Sequence, residues 1–132
     1  MHDLENQYDF ILCETDKKEN SSWTNWILKQ VDVILLVADF SEDPNIQVDS
    51  LENKLDLYSG KYLAKKHLIL IHPIETETIC GTSKWIKPRK VDWHHHIKMS
   101  QKGDFERIAR FMAAKIIGLV LGGGNYLKFY FF

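Results

Sequence analysis

The chain has 132 residues, 45% hydrophobic and 27% charged, with a formal net charge of −1. That is ordinary globular composition for one domain with a modest core, and the near-neutral balance gives no case for attraction to nucleic acid. The two cysteines, Cys13 and Cys80, form no C-x-x-C pair and read as free thiols, the acidic start Met1 to Asn6 is no signal peptide, and no apolar run reaches the ~20 residues that span a bilayer. A cytoplasmic location follows, with peripheral membrane contact left open.

Tyr8-Asp-Phe-Ile-Leu-Cys13 is a short apolar run of β-type residues and predicts a strand. Ser21 and Ser22 stand before Trp23 to Gln30 as cap candidates for a short helix. Trp23, Trp26, Ile27 and Gln30 fall at helical spacing, which points the tryptophans at the core. Val31 to Ala38 is apolar almost throughout, as suits a parallel strand buried on both faces. A loop with Pro44 follows, then an amphipathic helix marked by Val48, Leu51, Leu55 and Tyr58 and closed by Gly60. His67 to His72 is a third strand stopped by Pro73.

Further on, Thr82 to Ile86 predicts a helical turn before Pro88, and Val91 to Lys98 can be extended although its alternation is poor. Gly103 and Asp104 open a helix with Phe105, Ile108, Ala109 and Met112 on one face. The last predicted strand, Ile116 to Leu121, runs into Gly122, Gly123 and Gly124, the outline of a phosphate- or oxyanion-type loop. Strands alternating with helices over short connections predict an α/β fold with a small parallel sheet and flanking helices.

Candidate chemistry is sparse. The three glycines let a backbone approach an anionic oxygen closely, but they form neither G-x-G-x-x-G nor a P-loop. Alone they read more readily as a flexible turn. In an extended run His94 and His96 share one face and His95 points away, so the triplet cannot converge on one ion. It reads as partly exposed loop histidines that join Lys87, Arg89, Lys90 and Lys98 in a solvated basic surface, with a histidine-run metal protein as the rival reading. Asp9, Glu14, Asp16 and Asp39 flank predicted strands, where Mg²⁺ or acid–base chemistry could sit. Without a phosphate cradle they read as loop and cap carboxylates. G-x-S-x-G is absent: Ser59 lacks the upstream glycine, and Trp85 stands where Ser83 would need the second one. No catalytic residue, metal or cofactor is assigned.

Several stretches together carry a resemblance. Tyr8-Asp-Phe-Ile, Ser22-Trp-Thr, Gln30 to Val37, Trp85-Ile-Lys-Pro-Arg, His94-His-His-Ile-Lys, Asp104 to Phe111 and Gly118 to Gly124 occur in the order and spacing found ahead of the catalytic domain of bacterial neuropathy-target-esterase-like proteins, which are patatin-like phospholipases. The resemblance covers residues 8 to 124. It implies a parent activity of (lyso)phospholipid or carboxylic ester hydrolysis, with Gly122, Gly123 and Gly124 at the start of the oxyanion loop. That loop's arginine, the nucleophilic serine and the catalytic aspartate have no counterpart here. The resemblance therefore implies residues 1–98 as an α/β linker or regulatory domain and 99–132 as the start of a truncated patatin-like catalytic domain, inactive as it stands. The apolar tail with Tyr126, Phe129, Tyr130, Phe131 and Phe132 would then seek a lipid surface or a second copy. The strand–tryptophan helix–strand portion also faintly resembles ParA/MinD-type ATPases, with Asp9 near their metal-binding aspartate. This leaves a degenerate nucleotide-binding-like interaction module as the alternative.

Overall fold

A computed structural model of the chain describes residues 3, 6–15, 21–42, 52–53, 55, 64–115, 119–121 and 129–131. Its centre is a three-stranded parallel sheet in the order β1-β2-β3, with β1 at Val33–Asp39, β2 at Lys65–His72 and β3 at Trp93–Lys98. Helix α1, Ser22–Ile27, precedes β1; α2, Thr82–Ile86, lies between β2 and β3; α3, Lys102–Met112, follows β3. Two further strands, β4 (Leu119–Leu121) and β5 (Phe129–Phe131), pair antiparallel in a separate sheet. The parallel α/β arrangement expected from the alternating pattern is present.

Register sorts the side chains, because residues paired across a ladder share a face. Leu36 pairs with Leu68, and Ala38 with Leu70. On that face Leu68, Leu70 and Trp85 form the buried core, flanked by Leu36, Ala38, Phe40 and Val91. The opposite face carries His67, Ile69 and His95 under Phe111 of α3, whose ring centroid lies 5.5 Å from that of His67 and 4.9 Å from that of His95.

Local devices fix the connections. Ser21 Oγ accepts from the backbone N–H groups of Trp23 and Thr24 at 3.1 and 3.4 Å, so α1 starts on its predicted serine cap. Gly81, at φ 87°, holds the left-handed backbone that turns the chain into α2. Arg89 bridges elements: its Nε sits 3.0 Å from Glu52 Oε1, and its Nη1 donates to the Trp85 carbonyl at 3.0 Å.

Four expectations need correction. Tyr8 to Cys13 is no strand; it runs irregularly with Tyr8, Phe10 and Leu12 exposed, because no described strand supplies a ladder for it. In α1 the buried side chains are Thr24 and Ile27, while Trp23 and Trp26 stack on each other at 5.6 Å and stay 48% and 42% exposed. Strand β1 is not buried on both faces: it ends the sheet, and Val33, Leu35 and Val37 face solvent. Helix α3 starts at Lys102 with Gln101 at its cap position, and Asp104 instead accepts from the Lys98 N–H at 2.9 Å. Of the helix read between Val48 and Gly60, Glu52, Asn53 and Leu55 are described; all three are helical and Leu55 is buried. Its remaining residues lie outside the described ones.

Candidate functional site

Parallel sheets gather chemistry at the carboxyl ends of their strands. Here the last residues of the three strands are Asp39, His72 and Lys98. Asp39 Oδ1 accepts from the Ser41 N–H at 2.9 Å and the Ser41 hydroxyl at 2.6 Å, and these two bonds hold its carboxyl below the usual range. His72 pairs in register with Lys98 on the core face, and its ring packs against Phe40 at 4.3 Å between centroids.

The histidine run lies in the middle of β3, not in a loop. His94 and His96 share one face and His95 the other, as extended backbone requires. Neighbouring histidines on β2 complete two pairs that sequence reading does not anticipate. On the core face, His72 Nε2 lies 2.7 Å from His96 Nδ1, and His96 Nε2 lies 3.4 Å from Thr82 Oγ1. On the opposite face, His67 Nδ1 lies 3.0 Å from His95 Nε2, with the rings stacked 11° from parallel. His67, His72 and His95 are buried. The basic surface expected there is thus replaced, at His95 and His96, by neutral imidazoles. Burial, reinforced by His67, pushes His95 down to about 4, and burial, reinforced by His72, pushes His96 down to about 4. Burial also lowers His67 against the opposing pull of Asp92, and lowers His72 together with the Lys98 charge.

One polar atom in this group is orphaned: His72 Nδ1 is buried without a hydrogen-bond partner. Arg107 of α3 donates to the His96 carbonyl at 2.6 Å and lies 3.4 Å from Asp104 Oδ1, which ties the helix to β3. Among the described residues no group of three or more His, Cys, Asp or Glu side chains is placed to hold a metal ion. No helix among them is long and apolar enough to cross a membrane.

The other sequence candidates are dispersed. Asp9 is exposed; Glu14 serves through its carbonyl, which accepts from the Trp23 indole at 3.0 Å. Ser83 is exposed on α2 and Cys80 is exposed and free. Gly122, Gly123, Gly124, Asp16 and Ser59 lie outside the described residues. His67 and His72 leave one detectable trace: their odd spacing along β2 puts them on opposite faces, matching the opposed faces of His95 and His96.

A family model described as the Neuropathy Target Esterase family P-loop like domain matches residues 1–114. Lysophospholipase NTE1 of Yarrowia lipolytica is 28% identical over 177 aligned residues, which cover 95% of this chain and 12% of that protein. Lysophospholipase NTE1 of Kluyveromyces lactis is 37% identical over 99 residues, 74% of this chain and 7% of its own. Patatin-like phospholipase domain-containing protein ZK370.4 of Caenorhabditis elegans is 29% identical over 162 residues, 92% of this chain and 12% of its own. The chain therefore spans 12% or less of the length of these relatives. No solved structure matches it.

Proposed function

The chain belongs to the neuropathy target esterase family, in that family's P-loop-like domain, and from this membership we propose that it is the non-catalytic α/β segment of a patatin-like phospholipase. The parent activity is hydrolysis of (lyso)phospholipid or carboxylic esters, and the chain by itself is inactive. One observation carries this reading: the family match falls on the residues of the parallel sheet, while no serine in the sequence stands in G-x-S-x-G. Without a nucleophile, an oxyanion loop has no tetrahedral intermediate to stabilise.

Residues 99–132 are proposed to open the catalytic region, with Gly122, Gly123 and Gly124 as the remnant of its oxyanion loop. The reading further takes the chain as a fragment of the bacterial type; an Ala-Arg-Gly continuation in another frame past the codon of Gly124 would support it. A cytoplasmic location is proposed, with the tail aromatics Tyr126, Phe129, Tyr130, Phe131 and Phe132 meeting a lipid surface or a second copy.

The purified chain is expected to hydrolyse neither short-chain p-nitrophenyl esters nor lysophosphatidylcholine. Turnover above a heat-killed control, abolished by an organophosphate, overturns the reading. A second reading, a degenerate nucleotide-binding-like interaction module, is favoured by the polar residues Asp39, His72 and Lys98 that end the three adjacent strands, Asp39 on the face opposite the other two. The two readings separate on whether the isolated sheet docks a protein partner, since only the second predicts docking, with no nucleotide bound.

A further inference from the structure

Strands β2 and β3 are joined by side chains as well as by their backbone ladder. His67 and His95 meet on one face at 3.0 Å, and His72 and His96 meet on the other at 2.7 Å. A neutral imidazole has one N–H donor and one bare nitrogen acceptor, so two neutral rings share one hydrogen bond. When one ring of a pair is protonated the bond survives, but a cation is then buried. When both are protonated, two N–H groups point at each other across less than about 3 Å, a separation at the hydrogen-bond limit, and no acceptor remains.

We propose that these two pairs form an acid-released clasp between β2 and β3, closed while the four imidazoles are neutral and forced open when both members of a pair take up protons.

The surroundings give the clasp its direction. Around His67 and His95, the Phe111 ring packs against both imidazoles, Arg107 of α3 is a cation acting on His95, and the opposing charge on His67 is Asp92. Asp92 is already engaged: its Oδ2 accepts from the Lys66 N–H at 2.8 Å, and its Oδ1 lies 3.5 Å from Lys65 Nζ. Around His72 and His96 stand Phe40 from the end of β1, Thr82 from α2, His94 and Lys98 from β3, and Arg107 from α3. Asp39 and Asp104 act on His72 in the opposite sense. These two carboxylates are occupied by Ser41 and by the Lys98 N–H with Arg107, so neither forms an ion pair with an imidazole. The orphaned His72 Nδ1 is the buried position where an added proton finds no acceptor.

The sign follows from burial. Folded-state values lie below the ordinary 6.5, so neutrality contributes its full stability above pH 6.5 and loses it as pH falls toward about 4. Each imidazole held neutral changes the folding equilibrium constant by up to about tenfold per pH unit in that window.

The test is urea unfolding of the full 132-residue chain between pH 7.5 and 5, above the range where carboxylates dominate. The midpoint is expected to be flat above pH 7. Below about pH 6 the unfolding constant should rise at least roughly a hundredfold per pH unit, the slope for two protons taken up on unfolding. In the His67→Gln/His95→Gln variant that slope should shrink by more than one proton. If this variant does not fold, imidazole NMR of the unaltered chain decides: His95 and His96 should remain neutral at pH 5.5, and His67 and His72 should titrate below the ordinary 6.5. A midpoint flat from pH 7.5 to 5, or these four rings titrating near 6.5 in the folded chain, overturns the proposal.

Discussion

Arg89 is held by three groups at once. Its guanidinium pairs with Glu52, donates to the Trp85 carbonyl and lies 5.3 Å over the Trp85 ring. The side chains of Arg89 and Glu52 are 8% and 14% exposed, so this pair is screened far less than a surface salt bridge. Arg89→Ala would take the guanidinium away from the largely buried Glu52 carboxylate and bare one face of Trp85. The expected loss is about 3 kcal/mol of unfolding free energy, at the low end for breaking a buried pair. Urea melts at neutral pH check it, and a loss under ~1 kcal/mol would show the pair to be effectively solvated. Nothing in the residue pattern announced this arrangement: Arg89 reads as one of several cations near the histidine run, and its partner lies 37 positions upstream. The histidines give the same lesson from the other side. Strand geometry alone orients His94, His95 and His96, yet their partners His67 and His72 become visible only once the parallel register sets β2 beside β3.

At the scale of elements, β2, α2 and α1 are legible because each carries a local signal: Pro73 after β2, Pro88 after α2, Ser21 before α1; β3 has no such signal, and its poor alternation makes the histidines read as a loop. The errors share a cause. Tyr8 to Cys13 and β1 have strand composition, but whether a strand pairs, and on how many sides, depends on neighbours that composition does not encode. In α3 the helical face was read as Phe105, Ile108, Ala109 and Met112, whereas Phe111 supplies the ring over His67 and His95. Strands β4 and β5 pair with each other and not with the parallel sheet. Removal of residues 116–132 should therefore leave the main unfolding transition in place, with Lys115 kept because its N–H bonds the Arg110 carbonyl at 2.8 Å. Circular dichroism during urea unfolding reads this out. A shortened chain with no cooperative transition would make the tail part of the core.

For the whole molecule the limiting quantity is the size of that core. Leu68, Leu70 and Trp85 are its buried centre, and Leu70 is wholly inaccessible to solvent. Leu70→Ala should cost about 2–5 kcal/mol, the usual range for a large-to-small change in a packed interior. Domains are commonly stable by only ~5–15 kcal/mol, so this one truncation should lower the thermal midpoint markedly or abolish the folded state. Calorimetry measures it, and a loss below ~1 kcal/mol would mean that the site collapses around the gap.

Strand β1 has a consequence of another kind. It closes the sheet on one side, so its outer row of peptide groups has no ladder partner within that sheet. Val33-Ile-Leu-Leu-Val-Ala38 contains no charge, no proline and no glycine. Exposed sheet borders are ordinarily guarded by lysine, proline or a bulge, and this one carries none of them before Asp39. Six uncharged aliphatic residues with an open hydrogen-bonding row have the composition of a cross-β seed. Among the described residues no strand lies beside this border, and it is there that one copy can template the next.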